Sequence, residues 1–174
     1  VAKGNTMPIL GTMITSTTYG TWLRGDQRGW VEDGQVLPHD PLLQLEEFSR
    51  LKYEPYLFAK SQLLDIGSMI LASLDERLHL RPLALTIQTW HVHIVIPSAT
   101  HTLPVIVKCF KDAVRFGLRI GRPIWTDGYD HRYCYDWERL HDRVHYVECH
   151  NTREGWPTQP WPQLLKWDEY VRTV

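Results

Sequence analysis

The run from Thr89 to Pro97 (Thr-Trp-His-Val-His-Ile-Val-Ile-Pro) narrows what this chain can fold into more than any other segment. Side chains alternate between the two faces of a strand. Trp90, Val92, Ile94 and Ile96 therefore share one face, which reads as core, while His91, His93 and Val95 share the other. A central β-strand with a dry side is the predicted element. On its other side two imidazoles stand roughly 6.5 Å apart, close enough to converge on one divalent cation. Two histidines packed within a core are the ordinary alternative.

The rest of the chain is arranged around that strand. Its 174 residues suit one domain with a real hydrophobic core. Residues 8–20 are rich in β-branched side chains and predict a first strand. Residues 24–54, rich in Gly, Pro, Asp and charge, read as one long loop. Pro55 is placed to open a helix, with Ala59, Leu63, Ile66, Ile70, Leu74 and Leu78 at helical spacing. A second strand starts at Pro82, just before the histidine strand. Thr102 is a candidate N-cap for a helix with Pro104 in its first turn, ending near Gly121-Arg-Pro123. Residues 129–135 predict a fourth strand. Asp136 caps a last helix whose apolar line is Trp137, Leu140, Val144 and Val147. Residues 151–174 read as a Trp-containing tail over the surface. The order β-α-β-β-α-β-α predicts an α+β fold, a ferredoxin-like (split βαβ) antiparallel sheet with helices on one face.

The last helix carries the second half of a candidate site. Tyr146 lies two residues past Val144, roughly 200° around the axis, and so off the apolar line. His150 follows at i+4, on the same face as Tyr146. If this helix packs beside the histidine strand, His91, His93 and His150 form a metal site with the Tyr146 phenol as neighbouring nucleophile. Such a set suits a phosphodiester. The ion polarises a phosphate oxygen, and a phenol, weak as a nucleophile at neutral pH, needs that kind of help. A half-buried surface tyrosine and a helix-terminal histidine are the bland accounts. His141 and His145, also i and i+4, are a rival zinc pair. No Glu follows His141, so a His-Glu-x-x-His protease is excluded.

These segments resemble the REP-associated tyrosine transposases, single-tyrosine HUH enzymes. The resemblance is carried by His91-Val92-His93, Pro123-Ile-Trp125, Tyr129-Asp-His131 and the run from Val144 through Tyr146 and His150 to Gly155-Trp156. It spans about residues 8–160 and is diffuse outside the motifs. It implies a ferredoxin-like fold and metal-dependent cleavage and joining of single-stranded or hairpin DNA, with Mg²⁺ or Mn²⁺ as cofactor. On that likeness His91 and His93 match the metal histidines and Tyr146 the nucleophile that forms a phosphotyrosine link. His150 matches the fourth residue after it, where the family usually carries an amide. Where the family typically reads Asn-Pro, this chain reads His150-Asn151. A cytoplasmic, nucleoid-associated bacterial protein is implied, as monomer or homodimer. A host-adopted module that binds structured DNA or RNA without turnover is the competing expectation.

The formal net charge of −1 excludes a globally basic nucleic-acid binder, so DNA contact must be local. Lys108, Lys111, Arg115, Arg119 and Arg122 predict a basic stripe on the helix after the histidine strand. Trp22, Arg24 and Arg28 mix rings and guanidiniums in a Gly-rich turn that could stack on unpaired bases. A solvated helix face and a tight structural turn are the plainer readings. No apolar run approaches bilayer length. Residues 1–5 show no leader pattern. Cys109, Cys134 and Cys149 form no CxxC motif, which fits a reducing compartment.

Overall fold

The computed structural model describes residues 7–32 and 35–174; the start at residues 1–5, read above for a leader, lies outside them. Strand β1 (Gly11–Thr17) leads into an insertion and then helix α2 (Leu63–Leu78). The insertion holds a hairpin of β2 (Trp30–Glu32) and β3 (Gln35–Leu37) and helix α1 (Pro41–Ser49). Strands β4 (Ala84–Ile87) and β5 (His91–Pro97) follow, then α3 (Leu103–Leu118), β6 (Asp130–Cys134), α4 (Trp137–Arg153) and α5 (Trp167–Thr173). The main sheet runs β4-β5-β1-β6 with every neighbour antiparallel. Counting only those four strands, that is the 2-3-1-4 order of a ferredoxin-like βαββαβ unit. The α+β, ferredoxin-like architecture is the one expected from the sequence.

Three local expectations are corrected. Residues 24–54 are not one loop. Asp40 accepts the N–H groups of Leu42 and Leu43 through its side chain, and Pro41 stands at N1, so a capped helix starts there. Pro55 does not open α2. The Tyr56 N–H donates to the Tyr19 carbonyl and the Phe58 N–H to the Thr89 carbonyl, which holds this stretch extended until a 3₁₀ turn at Lys60. The tail beyond 151 is partly helical, because α4 continues to Arg153 and α5 forms at Trp167. Thr102 sits at the N-cap of α3, but its hydroxyl makes no capping bond.

Helices also lie on both faces of the sheet rather than one. Ile14, Leu85, Ile87, Val92, Ile94 and Ile96 face α2 and α3 and form the larger core with Ile66, Ile70, Phe110 and Val114. The opposite face presents Met13, Ala84, Val95 and Cys134 to Leu140, Val144 and Val147 of α4. The apolar half of the His91/His93/Val95 face thus needs a cover of its own, and the predicted apolar line of α4 supplies it. Trp161 of the tail closes the first core. Its ring lies where a Cβ on Gly67 would be, and its Nε1 donates to the Leu64 carbonyl at 2.9 Å.

Candidate active site

α4 crosses the sheet from β6, where it begins, toward β4, where Asn151 is fully buried. The Asn151 amide donates to the carbonyls of Leu85, at 3.0 Å, and Thr158, at 2.9 Å. These two bonds fix the C-terminal half of α4 over β4 and β5. His150, one residue earlier, and Tyr146, one turn earlier, are thereby carried over the histidine strand. The ring centroids of His91 and His93 are 4.5 Å apart, those of His93 and His150 5.3 Å, and those of His91 and His150 5.9 Å. Tyr146 stands 5.6 Å from His93 and 4.9 Å from His150. The four side chains named from the sequence form one cluster.

His91 and His93 are buried, whereas Tyr146 is 44% exposed. One side of the cluster is dry and the phenol faces solvent. Burial, with the His150 and Arg28 charges adding to it, pulls the His91 imidazole down to about 4. Burial, with His91 and His150 beside it, pulls His93 to about 2. Burial also lowers His150, with Arg153 adding to the effect and Glu154 opposing it. All three rings are therefore neutral at physiological pH, the state in which imidazole offers a lone pair.

The residues that orient these rings were not singled out by pattern. Thr15 lies opposite His93 in the β1–β5 register, and its Oγ1 shares a 2.8 Å hydrogen bond with His93 Nδ1. When Nδ1–H donates to that hydroxyl, Nε2 keeps its lone pair. Thr86 is the opposite neighbour on β4, and both threonines are buried. A threonine within a β-branched strand carries no mark of this role; only the strand pairing reveals it. Trp90 packs on His91 at 4.0 Å, and Arg28 lies 4.5 Å from the Trp90 ring and 5.3 Å from that of Trp22. Asp26, 5% exposed, accepts from Arg28 Nε and Nη2 at 2.7 Å each. Trp22 donates to the Gly29 carbonyl at 2.8 Å. The turn expected to meet bases is thus an internally braced wall beside His91. Arg24 is engaged by Glu47 at 2.6 Å and Glu32 at 3.5 Å.

The basic stripe is not continuous. α3 ends at Leu118, and Arg119 takes a left-handed conformation, φ 51°. Arg122 turns back to the Glu54 carbonyl among the rings of Tyr19, Tyr53 and Tyr56. Lys111 points inward and donates to the carbonyls of Thr126 at 2.9 Å and Gly128 at 2.6 Å; burial lowers it to about 8, with Asp127 opposing. Lys108 and Arg115 remain outside, both against Asp112. All of them lie on the α3 side of the sheet, away from the histidines. The rival zinc pair is also apart. His141 packs against Trp167 at 5.0 Å, while His145 Nε2 contacts the Cys149 thiol at 3.5 Å.

The chain is similar to a REP-associated tyrosine transposase. The solved structure of that protein, bound to a REP hairpin, aligns with a TM-score of 0.49 at 12% identity, over 93% of this chain and 80% of that one. A candidate transposase of Deinococcus radiodurans R1 aligns with a TM-score of 0.43 at 14% identity, over 86% and 97%. No family model matches the chain, and no curated protein matches it.

The donor set fits a divalent metal in kind. His91 Nδ1 and His150 Nε2 are buried with no hydrogen-bond partner, and a buried ring nitrogen left unpaired is costly unless something satisfies it. Among the described residues, no group of three or more His, Cys, Asp or Glu side chains is so placed that it could hold a metal ion as it stands. The ring planes of His91–His93, His91–His150 and His93–His150 lie at 64°, 82° and 48° to one another, so the rings would have to turn to aim three lone pairs at one point. Also among the described residues, no helix is long and apolar enough to cross a membrane. All three cysteines are free thiols.

Proposed function

We propose that this protein is a metal-dependent single-strand DNA endonuclease and strand transferase of the transposase type, with Tyr146 as nucleophile. One observation carries the reading: three neutral imidazoles and one solvent-facing phenol form a cluster that leaves two ring nitrogens unsatisfied. His91, His93 and His150 would hold Mg²⁺ or Mn²⁺, which supplies Lewis-acid stabilisation of negative charge on the phosphate. The Tyr146 oxygen gives up its proton to solvent water, which returns one to the departing oxygen, and forms an ester bond to phosphorus. The phosphorus–oxygen bond to the departing strand breaks, and that oxygen leaves as a hydroxyl. One phosphate ester replaces another, so the bond remains available for rejoining. Thr15 sets the His93 ring, and the braced Arg28–Trp90 wall limits water on the His91 side.

The test offers a labelled single strand containing a hairpin, with Mg²⁺ or Mn²⁺, to the wild type and to Tyr146→Phe. A covalent protein–DNA adduct with the first and none with the second is expected. An adduct that survives Tyr146→Phe removes the assignment of the nucleophile. Hairpin binding with no cleavage by either protein replaces the enzyme with a non-catalytic module for structured DNA or RNA.

A further inference from the structure

Residues 139, 143, 146 and 150 of α4 fall within about 60° of arc on one helical flank. They are Arg139, Arg143, Tyr146 and His150. The buried line Leu140, Val144, Val147 and Asn151 lies beside them, roughly 100° around the axis. A lane with two guanidiniums at its start therefore ends at the phenol and the imidazoles. Arg143 stands about 4.5 Å and Arg139 about 10 Å along the axis from Tyr146.

The start of this lane adjoins β6, one of the two edge strands of the sheet. Arg139 and Arg143 line a surface depression of about 600 Å³ there, together with Arg132, Tyr133 and Tyr135 of the β6 region and one carboxylate, Asp142. Arg143 and Arg139 are both close enough to the Cys134 thiol to oppose the upward push that burial gives it. Tyr133 and Tyr135 are exposed and stand 6.3 Å apart; Tyr133, paired with Thr12, reaches the depression from the α3 side of the edge strand. The ion pairs Arg132–Asp130 and Arg139–Asp136 are 3.4 Å long and open to solvent, so a phosphate competes with them easily.

The geometry points to this lane, from the β6 edge along α4 to Tyr146, as the surface that holds the single-stranded nucleic acid entering the site. The inference rests on the reading of Tyr146 as the reacting group and names where its substrate lies. Guanidiniums matched to backbone phosphates, exposed rings that stack on unpaired bases, and direct continuity with the phenol are the three features that select a single strand. The expected basic stripe on α3 has none of that continuity.

The experiment measures binding of a fluorescently labelled hairpin with a single-stranded flank to full-length Tyr146→Phe protein across a salt series. Each phosphate contact on a single strand contributes about 0.7 to the slope of log K against log salt. Adding Arg139→Ala and Arg143→Ala is expected to flatten the slope by about 1.4. Arg139→Lys with Arg143→Lys, which keeps both charges, is expected to restore it. Tyr133→Ala is expected to weaken binding about 5-fold with an unchanged slope, since stacking releases no counterions. An unchanged slope in the double alanine variant overturns the lane. So does a slope that shifts instead with Lys108→Ala and Arg115→Ala on α3, or a Tyr146→Phe protein that binds no strand. The expected slope change without a covalent adduct in the wild type leaves the lane standing and sinks the nuclease reading.

Discussion

The two faces of the sheet are built to opposite ends. Toward α2 and α3, every inward residue of β4 and β5 is apolar and meets Ile66, Ile70, Phe110 and Val114; the polar residues on this face, Thr12 and Ser16, come from β1. Toward α4 the face changes character along its length. Met13, Ala84 and Val95 pack on Leu140, Val144 and Val147. Past Val95 the same row turns to His93 and His91, with Thr15 and Thr86 alongside, all buried. The first face follows the ordinary rule for interiors except at Ser16, whose Oγ is buried without a partner. The second departs from it by burying His91 Nδ1 and His150 Nε2 unpaired, and such departures are where function is expected.

That contrast can be broken most sharply at His91 and His93. Changing either to Leu is expected to remove metal-dependent cleavage altogether, read by adduct formation with Mg²⁺ or Mn²⁺. The melting temperature of the metal-free His91→Leu protein at pH 7 is expected to equal or exceed that of the wild type, because an unpaired buried nitrogen is lost. A large drop would mean that His91 is structural. On the other face, Phe110→Ala is expected to cost about 3–5 kcal/mol and lower the melting temperature by roughly 6–20 °C, with adduct formation intact wherever the protein is folded.

A smaller effect separates the faces by pH. In the unfolded chain both histidines take up a proton near pH 6.5, but folded His91 does so only at about 4 and folded His93 at about 2. Below pH 6.5 the unfolded state binds more protons, so stability falls as the pH drops from 6.5 toward 4. The loss, on the order of a few kcal/mol, should appear in melting curves recorded in chelator and flatten in His91→Leu/His93→Leu. An equal slope in that variant would place the acid sensitivity elsewhere. The smallest effect is expected at Lys108→Ala, whose exposed pair with Asp112 is worth under about 1 kcal/mol; denaturant midpoints should barely move.

Much of the fold was legible because it depends on local rules. The alternation around His91 and His93 marked a strand and assigned the faces of residues 91–96 correctly, but Trp90, read with the core face, lies outside β5 and packs on His91. Asp136 was read as the cap of α4, and its side chain accepts from the Arg139 N–H at 2.8 Å. The i, i+4 spacing was enough to set Tyr146 and His150 on one face. What misled was equally physical. Pro55 suits a helix start, but backbone bonds from Tyr56 and Phe58 to Tyr19 and Thr89 hold the segment extended instead. Lys108 to Arg122 look like a helical stripe only if the helix lasts that long, and it ends at Leu118. Thr15 stayed invisible because its role depends on a partner 78 residues away.

Sequence alone determined the period, the caps and the chemical types, since these depend on residues within one or two turns of each other. It therefore specified a histidine strand with one dry face and a helix bearing a phenol and an imidazole on one flank. Only the tertiary structure decided that α4 covers the second face of the sheet, that Asn151 fastens it there, and that the flank carrying Tyr146 begins with Arg139 and Arg143 beside β6. Those relations join positions far apart in the chain. They are settled by which apolar surfaces must be covered and which buried amides must find partners, and no window of local sequence contains both sides of that requirement.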